Sequence, residues 1–256
     1  MLINRCIIVL CATVLSFATP AAAQQKQEVM LLTYHLKAPY IVNLGEQKGL
    51  YYDLAAYLNS HSQHYQFKTE FMPRKRIDAM LQKPFEHVVV GVQPNWFKAF
   101  ADKLRFTAPI LQESDVFVSL SSNALTDSEL ASLNGKTFIG VQGYRYIKLE
   151  PAENSGNLNR VDTLQEDSVL DMLRLGRGDF TIMSLSALEY KFARGEKAAD
   201  FYIAKQPHEH VQRRLMLSKE NTQLAEELDT LLEHMLCDPA WLSTLKQYGL
   251  DQSFLP

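Results

Sequence analysis

The chain has 256 residues, a hydrophobic fraction of 46% and a formal net charge of −3 at pH 7. The hydrophobic fraction is ordinary for a chain with a buried core, so the composition excludes a disordered protein. The slightly negative charge argues against a nucleic-acid partner, which requires a basic face.

The first 23 residues have the pattern of a secretory signal peptide. Arg5 precedes an apolar run over residues 6–18, and the small residues Ala21-Ala-Ala23 follow. A positive start, a short apolar run and a small-x-small ending are typical of a cleaved export signal. The run is shorter than the ~20 residues of a membrane-spanning helix. We therefore expect cleavage after Ala23 and a periplasmic protein.

Cysteine usage excludes a disulfide framework in the exported chain. Cys6 and Cys11 lie in the signal segment, which leaves Cys237 alone. A single cysteine has no intramolecular partner, and we expect Cys237 to be a small buried residue on the last helices.

Strand and helix patterns alternate through the first half of the chain. Residues 29–34 and 65–71 have strand patterns, residues 51–60 have helical spacing, and Pro73 suits the first turn of a helix reaching residue 81. Short apolar runs at residues 87–91 and 116–120 predict two further strands. Such βαβ alternation favours a mainly parallel sheet covered by helices.

The same alternation of strand and helix patterns is repeated in the second half of the chain. A turn entering a strand is predicted over residues 132–141, further strands at residues 180–183 and 201–204, and helices at residues 167–175 and 187–192 between them. Two helices, at residues 221–236 and 239–248, complete the chain. The repetition favours two similar lobes rather than a solenoid.

Several segments, in this order, resemble family 3 extracellular solute-binding proteins, the polar amino-acid group of periplasmic binding proteins. They are Ala38-Pro-Tyr40, Gly49-Leu-Tyr-Tyr-Asp-Leu54, Pro73-Arg-Lys-Arg76, Leu104-Arg-Phe-Thr-Ala-Pro-Ile110, Leu133 to Gln142 and Leu175-Gly-Arg-Gly-Asp179. The resemblance implies a two-lobed α/β fold of the type II periplasmic-binding class, with two crossing hinge segments. It places lobe 1 at residues 24–118 and 214–256, lobe 2 at residues 119–213, and the crossings near residues 117–120 and 207–215.

The resemblance also implies a ligand cleft between the lobes, but three positions depart from the amino-acid-binding pattern. No arginine follows Gly91 where the family holds a ligand carboxylate, Ser184 stands in place of the ammonium-binding carboxylate, and Tyr144 follows Gly143. Burying an unpaired charge is costly, so we expect a cleft without the usual charged clamp, and a standard amino acid is disfavoured.

The candidate ligand-binding residues are mainly aromatic or neutral: Tyr34, Tyr40, Arg76, Gln93, Trp96, Gln142, Tyr144, Arg145 and Ser184. Aromatic walls suit a stacked ring, a sugar face or a cation over a π surface. Structural alternatives stay open: Tyr34 and Tyr40 as core or rim packing, Trp96 as a loop plug, and the run around Arg76 as a solvated helix end.

These features predict a monomeric protein that captures a small polar or aromatic molecule without catalysis or a cofactor. An inner-membrane ABC permease is the expected partner in uptake; a module docking on a membrane receptor and a lyase or dehydratase on the same scaffold are the alternatives. No acid/base pair or nucleophile motif supports catalysis. His208 and His210 share a strand spacing that would permit metal chelation, without an obvious third ligand.

Overall fold

The computed structural model of the protein describes residues 25–256. The predicted signal peptide lies outside these described residues. Among them, no helix combines the length and the apolar character that crossing a membrane requires.

Ten strands and seven α-helices form the described chain. The first half contains β1 (Gln27–Thr33), α1 (Leu50–His61), β2 (Tyr65–Phe71), α2 (Arg74–Met80), β3 (Val88–Val92), β4 (Leu104–Phe106) and β5 (Leu111–Leu120). The second half contains β6 (Thr137–Val141), α3 (Glu150–Asn154), β7 (Asn159–Thr163), α4 (Val169–Arg174), β8 (Phe180–Ser184), α5 (Leu185–Phe192), β9 (Phe201–Ile203), β10 (Glu209–Ser218), α6 (Thr222–Cys237) and α7 (Pro239–Gln247).

The strands form two similar halves of one curled, mixed sheet. In lobe 1 the order is β2-β1-β3-β10-β4, and in lobe 2 it is β7-β6-β8-β5-β9. In each half the first three strands are parallel and the last two pairings are antiparallel. The two lobes therefore share one topology, and each receives its fourth strand from a segment that comes from the other lobe.

Each lobe has an apolar core on both faces of its sheet. In lobe 1, one face packs against α1, α6 and α7 around Trp241, and the other packs against α2 around Ile77. In lobe 2, Leu173 lies in the core on one face and Phe138 in the core on the other. Parallel strands covered on both faces are apolar throughout, which explains the fully buried β3 with its Val-Val-Val-Gly-Val sequence.

Gly91 is required by close packing in that strand. Its φ is +80°, and a Cβ at this position would stand 1.8 Å from the hydroxyl oxygen of Tyr51. A side chain other than hydrogen would therefore clash with a buried ring and adopt an unfavourable backbone conformation.

The two lobes are joined where β5 and β10 pair with one another. Residues 111–115 of β5 lie antiparallel to residues 209–213 of β10. Beyond this stretch, β10 enters the lobe 1 sheet beside β3 and β5 enters the lobe 2 sheet beside β8. This paired stretch is called the hinge ladder below.

The expected burial of Cys237 is wrong. The residue ends α6 and its side chain is exposed. The apolar stripe of α6 contains Leu224, Leu228, Leu231 and Met235, and Cys237 falls outside that spacing.

Candidate functional site

Aromatic side chains lie at the carboxyl end of β1, on the lobe 1 side of the cleft. Tyr34 and His35 directly follow the strand, and their ring centroids are 4.2 Å apart. The ring of Trp96 lies 5.8 Å from that of His35. Ligands of open α/β sheets bind at the carboxyl ends of strands, so these rings occupy the expected place.

Arg74 borders this aromatic group. Its Cζ lies 5.3 Å from the ring centroid of Tyr34, and its Nη2 donates to the backbone oxygen of Trp96 at 2.8 Å. Its Nε donates to Asp78 at 2.8 Å, one helical turn further along α2. The charge of Arg74 is thus already paired within lobe 1.

A buried ion pair spans the hinge ladder. Arg213 and Glu113 contact each other from β10 and β5, with side-chain exposures of 1% and 0%. Arg213 also donates to the backbone oxygen of Gly91 at 2.9 Å. Glu113 accepts from the hydroxyl of Tyr40 and from the backbone N–H of Ser186 at 3.1 Å. Burial by itself raises the pKa of Glu113. The positive charges of Arg213 and Lys37 act in the opposite direction, and the net pKa is lowered.

Tyr40 belongs to the same hinge network. It is fully buried and stacks on Tyr51, with ring centroids 4.9 Å apart. Its hydroxyl lies 2.8 Å from the Oγ of Ser186, which lies 3.4 Å from the Oγ of Ser184. Tyr40 and Ser184 are therefore linked through one buried polar chain that joins the two lobes.

A second buried ion pair crosses the cleft itself. The Nζ of Lys37, in the loop after β1, lies 3.2 Å from Oε2 of Glu166. Glu166 begins the short 3₁₀ turn before α4 in lobe 2. Their side chains are 8% and 4% exposed, so the pair is enclosed and the lobes are closed upon each other.

Tyr144 faces the same region from lobe 2. Burial, followed by the charge of Glu166, raises the pKa of Tyr144 well above its ordinary value, and Tyr34 contributes to the shift from lobe 1. Burial likewise raises the pKa of Tyr34 to about 12. Both hydroxyls therefore act as neutral hydrogen-bonding groups.

Three polar atoms in this region have no hydrogen-bond partner among residues 25–256: Nδ1 of His35, Oδ1 of Asp115 and the hydroxyl oxygen of Tyr51. His35 is 5% exposed, and burial with three nearby cations holds its pKa well below the usual range, so the imidazole is neutral. Burial raises the pKa of Asp115 to about 6. Buried polar atoms normally have hydrogen-bond partners. Atoms that lack one therefore mark a place for a ligand or a water molecule.

The predicted residues divide into two groups. The structure brings five of them to the cleft and the hinge network: Tyr34, Tyr40, Trp96, Tyr144 and Ser184. Gln93 lies beside them, where its Nε2 donates to Glu209 at 2.7 Å and its side chain is buried.

The other three predicted residues are exposed. Gln142 has an exposed side chain, and the guanidinium of Arg145 forms two hydrogen bonds of 2.9 Å to Glu150 on its own lobe. Arg76 borders a different surface groove of about 500 Å³, together with His87. Of the Arg74-Lys75-Arg76 run, Arg74 is the residue that reaches the aromatic group.

The cleft contains charged residues in addition to the aromatic and neutral ones predicted from the sequence. Sequence reasoning missed the charged residues that meet there, together with one histidine: His35, Lys37, Arg74, Glu113, Asp115, Glu166 and Arg213. One signal was present: Glu113 and Asp115 alternate in a segment that continues as an apolar strand, and Arg213 lies between Val211 and Leu215 on one face of a strand pattern. A charge inside such a strand indicates a buried partner.

His208 and His210 are placed in different surroundings. His208 is buried, its ring centroid lies 5.6 Å from that of Phe117, and burial lowers its pKa to about 4. His210 is exposed, with Nδ1 2.9 Å from the Oγ of Ser114. Within residues 25–256, no group of three or more His, Cys, Asp or Glu side chains has the arrangement of a metal site.

Comparison of the sequence with protein-family models finds no match, and comparison with curated proteins finds none either. Solved structures do match. A structure described for glutathione import via GshT and the cystine ABC importer TcyBC of Streptococcus mutans has a TM-score of 0.70 at 15% identity, covering 91% of this chain and 98% of that one.

Two further structures show the same likeness. A periplasmic binding protein of Salmonella typhimurium with high arginine specificity has a TM-score of 0.66 at 15% identity, covering 86% of this chain and 98% of that one. The periplasmic VFT2 domain of Bordetella pertussis BvgS has a TM-score of 0.60 at 16% identity, covering 86% and 92%. At such identities the likeness concerns the fold. The predicted architecture is confirmed: the chain has the two-lobed α/β fold of family 3 solute-binding proteins.

Proposed function

We propose that this protein is a periplasmic, non-enzymatic binding protein that captures a small polar or aromatic molecule between its lobes. One observation carries the proposal. Nδ1 of His35 and Oδ1 of Asp115 are hidden from solvent and have no hydrogen-bond partner among residues 25–256, while the ion pair of Lys37 and Glu166 holds the lobes together. A ligand that pairs those atoms would favour the closed state over the open one.

The aromatic residues supply the contact area. Tyr34, Trp96 and Tyr144 are half-buried, which leaves part of each ring available. Aromatic side chains contribute large apolar area together with a defined geometry for stacking. Binding therefore combines stacking with hydrogen bonds deeper in the cleft.

Uptake is the role that we propose for the captured ligand. The export pattern of residues 1–23 supports a periplasmic location, and an inner-membrane ABC permease is then the partner that accepts the closed, ligand-loaded monomer. The fold shared with structures described for ABC import supports this proposal.

A sensory role is the second candidate, and a specific observation favours it. The BvgS VFT2 domain shares the fold over 92% of its length. In this alternative the closed lobes dock on a membrane receptor. Co-purification of the ligand-loaded protein with a permease or with a receptor kinase from native membranes distinguishes the two roles.

The test of ligand capture begins with thermal-shift screening of sugars, aromatics, amines and amino acids, followed by calorimetry. At least one class is expected to raise the melting temperature in a concentration-dependent way. Small-angle scattering then compares the free and loaded protein. A flat response across all classes would contradict the proposal.

A variant of Trp96 tests whether the ligand binds at the aromatic side chains of lobe 1. Trp96→Ala is expected to weaken binding by ~1–3 kcal/mol because the ring loses its contact with the ligand. Tyr202→Ala serves as the control, because Tyr202 is a half-buried aromatic residue of β9 that packs in the lobe 2 core. A lower melting temperature with unchanged affinity in Trp96→Ala would show that Trp96 only packs against lobe 1.

A further inference from the structure

The charges around the cleft do not balance. Three cations each contact a carboxylate of their own: Lys37 with Glu166, Arg74 with Asp78, and Arg213 with Glu113. Asp115 is a fourth carboxylate, and its Oδ1 has no hydrogen-bond partner among residues 25–256. Asp115 and its cross-strand neighbour Glu209, which accepts from the amide of Gln93, therefore have no ion-pair partner among residues 25–256.

Asp115 lies at the border of the cleft, half-buried, with one carboxylate oxygen hidden from solvent. It lies two residues after Glu113 in β5, and alternate residues of a strand share a face. The charges that act on its carboxyl group come from both lobes and from the hinge: Lys37, Glu113, Arg213 and Glu166. Its unpartnered oxygen is inaccessible to solvent in the closed form.

His35 offers a second unpartnered atom near the same charges. Its imidazole is neutral, and its Nδ1 has no partner within the described chain. The ring centroid of His35 lies 6.3 Å from that of Tyr40, whose hydroxyl donates to Glu113, two residues before Asp115 in β5, so the two groups border one region. A neutral imidazole nitrogen accepts a hydrogen bond from an N–H group when the other nitrogen carries the proton.

Each of the three cleft cations described here already contacts a protein carboxylate, so a ligand carboxylate would have to compete for it. The guanidinium of Arg213 is used by Glu113 and by the Gly91 oxygen, and the ammonium of Lys37 is used by Glu166. A carboxylate entering this cleft would add a further unpaired negative charge beside Asp115. Burying like charges together is unfavourable.

We propose that the ligand is an organic amine that carries a positive charge and no carboxylate, bound by Asp115 with His35 and the aromatic rings of Tyr34 and Trp96 around it. This inference rests on the proposed function, since it names the ligand class of the same cleft. The ammonium pairs with Asp115 and compensates the negative charge of that carboxylate. The rings of the aromatic residues attract a cation through their π faces.

Matched pairs of compounds test the proposal directly. Calorimetry at pH 7.5 compares agmatine with arginine, tyramine with tyrosine, and phenylethylamine with phenylalanine, each pair differing only by the α-carboxylate. At least one amine is expected to bind about tenfold or more tightly than its amino acid, because burying an unpaired carboxylate is costly. Equal or tighter binding of the amino acids would overturn the proposal.

Variants of Asp115 test the residue assignment. Asp115→Asn is expected to weaken amine binding by about tenfold or more, since the charge partner is lost. Asp115→Ser is the second variant if the first does not fold. Asp171→Asn is the matched control, because Asp171 is an exposed carboxylate of α4 paired with Arg174. Unchanged amine affinity in the folded Asp115 variants would overturn the assignment.

The remaining outcomes separate this inference from the proposed function. If sugars or neutral aromatics bind and amines do not, the amine assignment fails while ligand capture stands. If no compound in the whole panel binds, both proposals fail.

Discussion

The two buried ion pairs of this protein resemble each other in burial and differ in their surroundings. Arg213 and Glu113 lie in the hinge ladder, where the Gly91 oxygen, the Tyr40 hydroxyl and the Ser186 N–H add further hydrogen bonds. Lys37 and Glu166 cross the cleft, and among described side chains the structure gives them only each other as hydrogen-bonding partners.

The difference teaches that burial alone does not define the role of an ion pair. The hinge pair joins two adjacent, hydrogen-bonded strands, so it cannot separate unless the sheet breaks. The cleft pair joins loops of two lobes, so opening of the hinge returns both charges to water. We therefore expect the hinge pair to determine stability and the cleft pair to determine closure.

The largest expected effect follows from breaking the hinge pair. Arg213→Met leaves Glu113 buried without a counter-charge, and the free energy of unfolding should fall by about 3–5 kcal/mol. Urea unfolding followed by circular dichroism measures this loss. Lys68→Met is the control, because its ion pair with Glu28 is exposed and should contribute at most about 1 kcal/mol. Equal losses in both variants would contradict the special role of the hinge pair.

Breaking the cleft pair is expected to change the free energy of unfolding less than breaking the hinge pair does, and to act mainly on lobe closure. Lys37→Met should change the free energy of unfolding by less than about 1 kcal/mol, because the open form rehydrates Glu166. Closure should become less favourable, which increases the radius of gyration in small-angle scattering and weakens ligand binding. Glu166→Gln completes a double-mutant cycle. A large stability loss with unchanged scattering would show that the cleft pair is part of the rigid fold.

The smallest expected effect on stability concerns Asp115, which lies in β5 two residues after Glu113. Its pKa is about 6 in the folded protein, against an ordinary value of 3.8. The folded state therefore binds more protons than the unfolded state between these values, and stability falls as pH rises through this window. Above pH 6 the full cost of ionised Asp115 is present.

Asp115→Asn removes this cost. At pH 7–8 and without ligand, the melting temperature should rise by ~1–2 °C, because the half-exposed carboxylate keeps part of its hydration and the gain stays below about 1 kcal/mol. The gain should disappear below about pH 3, where wild-type Asp115 is protonated in both states. Differential scanning calorimetry across this range checks it, with Asp171→Asn as the control. A gain that is independent of pH would refute the charge-based explanation.

Most elements of the fold were predictable because their patterns are local. The period-2 alternation of Tyr65, Phe67, Thr69 and Phe71 predicts β2 with the bounds that the structure has. The apolar spacing over residues 221–236 similarly predicts α6, which spans Thr222–Cys237. By contrast, β7 reads Asn-Arg-Val-Asp-Thr, and this polar edge strand forms only because β6 pairs with it.

The aromatic part of the site was also accessible from the sequence, and the charged part was not. Tyr34 and Trp96 follow recognisable strands, so their position at a carboxyl strand end could be inferred. The lobe boundaries stay a prediction, as does the ligand role of each predicted residue. The structure adds Arg74 in place of Arg76 as the arginine near the aromatic rings, a choice set by the direction in which one short helix presents its side chains.

The sequence by itself determined the alternation of strands and helices, because each element is specified by the spacing of apolar residues within about ten positions. Only the tertiary structure decided the charges of the cleft. Arg213 and Glu113 are 100 residues apart, and Lys37 and Glu166 are 129 apart. Their pairing depends on the register of two strands and on the closure of two lobes, and no local pattern encodes either.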